Sequence, residues 1–156
     1  MRLYRLTERR DPAKAFDGTR SAQHPGRWNV AGRAAVYAST SLSLALLEVL
    51  VRGARELAED YAFYRVDVAD ALLERLDRSN LSDDWRSMSG REGCRALAEA
   101  WRAGGTAVGL IVPSAVVPEA YEEGEFNVVF DPRHASFGQI VIGPSSVLVP
   151  DGRFAG

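Results

Sequence analysis

The chain has 156 residues, of which 46% are hydrophobic, enough to build the core of about one domain. Its 19 basic and 21 acidic residues give a net charge of −2, without the basic excess expected of a protein that binds nucleic acid directly. A single cysteine excludes an internal disulfide and a CxxC zinc site, and the absence of a signal-peptide core or a long apolar run predicts a cytoplasmic protein without membrane contact.

The first third of the chain predicts two strands and two helical segments. Residues 3–6 form a short strand pattern, and Asp11 followed by Pro12 is a typical helix start. A polar loop is then expected over residues 18–26. The apolar run 34–38 predicts a buried strand, and the three hydroxyl residues 39–41 can cap a helix over residues 42–52.

The helix over residues 42–52 is apolar almost all round, which predicts that it is buried. Glu48 is the exception, and an uncompensated buried charge costs several kcal/mol, roughly. Glu48 must therefore be paired, protonated or used in a function, and its pair would be an i,i+4 ion pair with Arg52 at the edge of the helix. Upstream, Arg27 is expected on a loop or strand end, either stacked on Trp28 at the surface or part of a site.

The rest of the chain predicts mostly short strands. A polar segment over residues 77–90 predicts a loop suited to cover a site. Glycines 104 and 105 would end a helix over 91–102. The remaining elements are strands over 61–68, 107–112, 126–130, 139–142 and 146–149, and a helical turn over 70–76. The order predicts a single α+β domain with a mostly antiparallel sheet, and GxGxxG and P-loop patterns are absent.

Two polar residues stand beside predicted buried strands. Ser114 lies just beyond the strand over 107–112, where a side chain either caps a turn or faces a cleft. Asn127 lies in an apolar strand, so its amide requires partners from the backbone or from a ligand.

Five motifs along the chain resemble the RES family, the toxins of RES–Xre toxin–antitoxin systems. In order they are GRWN, VYAS, the glutamate within LALLEVLV, VPSA and FNVVFDPRH. The resemblance covers about residues 2–150 and leaves 151–156 as a C-terminal tail. It matches Arg27, Glu48 and Ser114 to the arginine, glutamate and serine that name the family, and Tyr37 and Asn127 to other positions that line the site.

The resemblance implies a fold similar to the ADP-ribosyltransferase toxins of the diphtheria-toxin type, with a split sheet and flanking helices. It also implies an enzyme that consumes NAD as a substrate, without a permanently bound cofactor. The alternatives are hydrolysis, phosphorolysis and transfer of ADP-ribose to a protein. The implied partner is an Xre-type DNA-binding antitoxin, through which any contact of the toxin with DNA would be indirect.

The residue types suit this chemistry. Breaking the nicotinamide–ribose bond places positive charge on the ribose, which the Glu48 carboxylate would stabilise. The Arg27 guanidinium is a matched donor for the pyrophosphate. No metal is required, and the two histidines and one cysteine do not suggest a metal site.

Binding roles follow for the remaining candidates. Tyr37 and Trp28 offer aromatic faces on which nicotinamide can stack, and Ser114 and Asn127 can donate to ribose hydroxyls or the carboxamide. The alternative from another class is a non-catalytic binding module, in which Arg27 and Glu48 form a structural ion pair.

Overall fold

The computed structural model describes residues 1–8, 10–53, 61–149, 151 and 153. The predicted C-terminal tail therefore lies mostly outside the described residues. The helices are α1 (Pro12–Ala15), α2 (Thr19–Gln23), α3 (Leu42–Leu50) and α4 (Arg91–Gly104). The strands are β1 (Arg2–Thr7), β2 (Val36–Ser39), β3 (Ala62–Asp67), β4 (Leu73–Arg75), β5 (Gly109–Val112), β6 (Asn127–Phe130), β7 (Val141–Ile142) and β8 (Ser146–Val147).

The strands form one sheet in the order β4-β5-β6-β2-β1-β3-β7, and β8 pairs with β3 beside β7. Every pairing is antiparallel except that of β4 with β5. The register between β1 and β2 contains a single pair, Tyr4 with Ser39. The predicted α+β class and mostly antiparallel sheet are confirmed. The strands form one continuous sheet with a narrow junction between β1 and β2, and not two separate sheets.

Local end signals determine three of the helices as predicted. The Asp11 carboxylate accepts a hydrogen bond from the Ala13 amide at 3.0 Å, and the Ser41 hydroxyl accepts one from the Leu44 amide at 3.0 Å. Gly105 ends α4 with φ of 63°, a left-handed conformation that glycine adopts without steric cost.

Two short elements differ from the prediction. The loop expected over 18–26 contains helix α2, whose first amide, that of Thr19, donates to the Asp17 carboxylate at 2.8 Å. The helical turn expected over 70–76 is a 3-10 turn at Asp70–Leu72 followed by strand β4, which pairs in parallel with β5. In both cases the element is too short for hydrophobic periodicity to define it.

The composition of helix α3 predicted burial all round, but the helix is buried on one side only. Leu44 and Ala45 are buried, whereas 41% of Leu47 and 62% of Val51 are exposed. Apolar composition alone cannot tell which face of a helix meets the sheet. The helix also ends at Leu50, two residues before the predicted end.

Buried side chains form three clusters around the sheet. One lies under β2, β3 and β6, a second between the sheet and α4, and a small third beside α3. The second cluster includes Trp85, which anchors the predicted loop 77–90 in the core. Representative members are Val36, Val66 and Phe130 in the first, Trp28, Ala98 and Trp101 in the second, and Leu6, Ala45 and Tyr61 in the third.

Gly90→Ala is expected to destabilise the fold where the loop joins α4. A Cβ atom at Gly90 would meet the Asp84 carbonyl oxygen and lie 2.6 Å from the Cα atom of Trp85, so the backbone must move. Such overpacking costs about 1–3 kcal/mol. The measurement is the free energy of unfolding in urea.

The matched control is Gly93→Ala, three residues further along, because nothing lies within 4 Å of its Cβ position. Removing a glycine from a helix interior should leave stability unchanged or raise it by about 0.5–1 kcal/mol. Equal effects of the two substitutions would show that the close approach at Gly90 is not a packing constraint.

Candidate active site

A cavity of about 570 Å³ opens beside the narrow junction of β1 and β2, with α3 along one side. Its volume is typical of small-molecule sites, about 300–1,000 Å³. The side chains that the site depends on come from both halves of the sheet and from α3 and the residues after it. They are Arg5, Tyr37, Ser39, Glu48, Arg52 and Asn127.

The Glu48 carboxylate is held through one of its two oxygens. Its Oε1 accepts hydrogen bonds from the Ser114 hydroxyl at 2.7 Å and from Asn127 Nδ2 at 2.6 Å. No described residue donates to Oε2. The carboxylate is therefore fixed in position while one oxygen remains available to a ligand in the cavity.

Asn127 is oriented by Ser39, which lies directly opposite it in the β2–β6 register. The Ser39 hydroxyl donates to Asn127 Oδ1 at 2.7 Å. Because an ionised carboxylate only accepts hydrogen bonds, the amide must present its NH₂ group to Glu48 and its oxygen to Ser39. Ser39 therefore acts on Glu48 through Asn127.

Ser114 caps a turn, which is one of the two predicted roles, and it also supports Glu48. Its hydroxyl oxygen accepts from the amides of Val116 at 3.0 Å and Val117 at 3.4 Å, as in a turn cap, and its proton goes to Glu48. The side chain is buried and does not line the cavity. Its one proton is thus already committed to the carboxylate.

Tyr37 lines the cavity, and two hydrogen bonds fix its hydroxyl group. Its hydroxyl donates to Asn29 Oδ1 at 2.7 Å and accepts from the Trp28 amide at 3.3 Å. Burial raises the pKa of the phenol to about 12, so the group stays protonated and remains a donor. The Arg52 guanidinium lies 5.4 Å from the ring centroid and covers one face.

Arg27 and Trp28 lie apart from the cavity. The Arg27 guanidinium donates to the carbonyl oxygens of Trp85, of Arg86 at 2.7 Å and of Ser87 at 3.0 Å. It lies over the Trp85 ring at 5.8 Å, and not over Trp28 as predicted for a surface arginine. Trp28 is 3% exposed and packs against Trp85, so stacking on a ligand in this cavity would require it to leave the core.

Both predicted ion pairs of Glu48 are absent from the described residues. Arg52 lies over Tyr37, and Arg27 binds the carbonyls of the 85–87 segment. The loop over residues 77–90 contributes no lining to this cavity. His24 is exposed and borders the cavity.

In the part of the chain that the structure describes, no group of three or more His, Cys, Asp or Glu side chains is arranged to hold a metal ion. Nor does any helix in the described ranges combine the length and apolar character needed to cross a bilayer.

The family model for the RES domain matches residues 2–154. This chain belongs to the RES-domain family. It is 37% identical over 142 residues to a protein of Photorhabdus laumondii named Toxin Res, covering 90% of this chain and 88% of that one. A relative from Sphingobium sp. strain YBL2, named Prs ADP-ribosylating toxin, is 31% identical over 113 residues, covering 70% and 67%.

The RES domain also shares its fold with a chain in the crystal structure of the M. tuberculosis MbcT–MbcA toxin–antitoxin complex. The TM-score is 0.74 at 24% identity, and the match covers 99% of this chain and 86% of that chain. Of the six predicted site residues, four lie at the cavity or in contact with Glu48, and two lie elsewhere. Tyr37, Glu48 and Asn127 border the cavity, Ser114 supports Glu48 from behind, and Arg27 and Trp28 pack elsewhere.

Arg27→Ala should destabilise the RES domain, because three carbonyl oxygens lose a charged donor. Hydrogen bonds from charged groups contribute about 1.5–3 kcal/mol each, and part exposure lowers this, so we expect a total loss of about 1–3 kcal/mol. The free energy of unfolding in urea measures it.

Arg33→Ala is the matched control, since Arg33 is 54% exposed and forms a surface ion pair with Glu99 at 3.1 Å. Exposed pairs of this kind contribute about 1 kcal/mol or less. If both substitutions cost the same, the contacts of Arg27 with residues 85–87 do not hold the loop.

Proposed function

We propose that this RES domain is the cytoplasmic toxin of a toxin–antitoxin system and that it depletes NAD by breaking the nicotinamide–ribose bond, which arrests growth. The names of its relatives support the toxin role. The observation that carries the chemistry is the Glu48 carboxylate, fixed through one oxygen at the wall of a ligand-sized cavity.

The carboxylate fits the charge that develops in this reaction. As the bond breaks, nicotinamide leaves with the bonding electron pair as a neutral molecule, and the ribose carbon becomes positive. Glu48 Oε2 then stabilises the transition state more than the ground state. Water adds its oxygen to that carbon and releases a proton, which gives ADP-ribose, or inorganic phosphate adds and gives ADP-ribose phosphate.

The other cavity residues would position the dinucleotide. Nicotinamide would stack on the face of Tyr37 that Arg52 leaves uncovered. Asn127 stays a candidate to contact ribose or the carboxamide, because it borders the cavity. Ser114 acts through Glu48 and is a positioning residue, since its proton is already donated to the carboxylate.

Transfer of ADP-ribose to a protein is the second candidate, favoured by the relative named Prs ADP-ribosylating toxin. The cavity would be the same, and the fold would be a variant of the diphtheria-toxin type. Incubation with NAD labelled in its adenylate part and cell lysate separates the candidates. A labelled protein band indicates transfer, and free ADP-ribose or its phosphate indicates breakdown.

The proposed partner is an antitoxin that restrains the toxin, of the Xre DNA-binding type. The shared fold with a chain of a toxin–antitoxin complex supports a protein partner. The net charge of −2 gives the toxin itself little attraction for DNA. Tight operator binding by the purified toxin alone would contradict an indirect contact.

Glu48→Gln should preserve the fold and abolish NAD turnover. The amide oxygen of glutamine can still accept from Ser114 and Asn127, but the negative charge is lost. Removing one electrostatic contact to a transition state costs about 10²–10³-fold in rate. NAD in cells during induced expression, at matched protein level, should fall with the wild type and not with Glu48→Gln.

Glu92→Gln serves as the control, because Glu92 is an exposed residue of α4 outside the cavity. It should deplete NAD as the wild type does. Turnover retained by folded Glu48→Gln would reject Glu48 as the essential carboxylate. Growth arrest with unchanged NAD would instead indicate modification of a protein target.

Ser39→Ala should lower kcat with little change in KM, because Ser39 orients Asn127 without needing to contact substrate. Losing one neutral hydrogen bond costs about 0.5–1.5 kcal/mol, and the same amount added to the activation free energy corresponds to about a 2–10-fold fall in rate. Ser39→Thr keeps the hydroxyl and should recover most of it. Ser43→Ala, on the exposed part of α3, is the control, and a raised KM with unchanged kcat would place Ser39 in direct contact with substrate.

A further inference from the structure

Two arginines approach Tyr37 from different directions, and both border the cavity. Arg5 Nη1 donates to the Tyr37 carbonyl oxygen at 2.8 Å, and its Nε donates to the Ala15 carbonyl oxygen at 2.7 Å. Arg52 lies over the Tyr37 ring at 5.4 Å. The guanidinium of Arg5 is held by backbone, whereas no described residue accepts a hydrogen bond from that of Arg52.

The cavity carboxylates do not compensate these charges. Glu8 pairs with Arg20 at 2.8 Å, and Glu48 is held by neutral donors. No described carboxylate forms an ion pair with Arg5 or Arg52. Burial, followed by repulsion from Arg52, lowers the pKa of Arg5 to about 10, and attraction to Asp17 offsets only part of this. This end of the cavity therefore favours an anion.

We propose that Arg52, backed by Arg5, forms the phosphate-binding end of the cavity, the role that sequence reasoning gave to Arg27. The proposal rests on the proposed function and adds the group recognised at this end. A guanidinium offers a planar pair of donors that matches phosphate oxygens. The donors of Arg27 are already bound to residues 85–87, whereas no residue in the described ranges accepts a hydrogen bond from the Arg52 guanidinium.

The pairing of charges in the cavity fits a nucleotide. Glu48 lies in the last turn of α3 and Arg52 lies two residues beyond the end of that helix, and both residues border the same cavity. In the proposed orientation the carboxylate lies beside the bond that breaks and the guanidinium lies beside the 5′-phosphate of the same nucleotide. The arrangement places negative charge next to the cationic part of NAD and positive charge next to its anionic part.

Two sources could supply the phosphate group. It is either the pyrophosphate of the dinucleotide or a free inorganic phosphate that attacks the ribose as the second substrate. Both present the same oxygens to Arg52. Binding measurements test the site, and kinetic measurements distinguish the sources.

The binding test uses the Glu48→Gln protein, so that no turnover occurs, and titrates it with inorganic pyrophosphate in a calorimeter at low ionic strength without divalent cations. Adding Arg52→Gln should weaken binding at least 10-fold. Adding Arg33→Gln, which removes an exposed arginine outside the cavity, should leave it unchanged. Thermal unfolding verifies that each protein is folded.

No pyrophosphate binding, or equal binding with and without Arg52, overturns the proposal. An equal loss with Arg33→Gln overturns it too, because the binding would then follow net charge and not a site. These outcomes are independent of catalysis, whereas absence of NAD turnover in the wild type would reject the proposed function alone.

With the wild-type protein, inorganic phosphate is then added to NAD turnover. Competition with NAD, seen as a raised KM that Arg52→Gln removes, assigns the site to the pyrophosphate. Formation of ADP-ribose phosphate at a rate that increases with phosphate and is lost in Arg52→Gln assigns it to the attacking phosphate. Phosphate without effect on either enzyme would contradict a phosphate site that operates during turnover.

Discussion

The site depends on how one carboxylate is held in an otherwise apolar helix. Glu48 needs donors, and these come from the end of β5 through Ser114 and from the start of β6 through Asn127. Each donor is itself fixed, Ser114 by the turn that follows it and Asn127 by Ser39. The chain of contacts ties α3 to the sheet by polar bonds whose directions are set, which apolar packing alone would not do.

The narrow junction in the sheet provides the space for this arrangement. β1 and β2 meet through the single pair Tyr4 with Ser39, so the two halves of the sheet separate beside it. Helix α3 packs at that place, and its partly buried face leaves room for a cavity. Side chains from both halves thus border one cavity, while the two larger hydrophobic clusters remain below the sheet and against α4.

Elements with local end signals could be predicted from the sequence, and contacts between distant residues could not. Asp11, Ser41 and Gly105 mark helix ends within a few residues, and α1, α3 and α4 were found through them. The partners of Arg27 lie about 60 residues away in the chain and are carbonyl oxygens, which every residue type offers. Motif resemblance predicted both Glu48 and Arg27 as site residues, and it could not show that Glu48 borders the cavity while Arg27 packs elsewhere.

Ser39 shows the same limit at the level of a single side chain. Its place before a helix suggested a cap, yet Ser41 supplies the cap and Ser39 pairs with Asn127 across the sheet. The strand register decides this, and no local pattern specifies which residue of β6 lies opposite Ser39.

The charges of the cavity also determine the direction in which the proposed substrate can enter. Glu48 and Arg52 have opposite charges, and both border the cavity. NAD in the proposed orientation meets each with the opposite charge, whereas the reverse orientation would place its pyrophosphate beside Glu48 and its cationic ring beside Arg52. Both contacts would then be repulsive, in a site where partial burial strengthens electrostatic interactions. The pair of residues proposed to favour the reaction would therefore also disfavour the reverse, unproductive orientation.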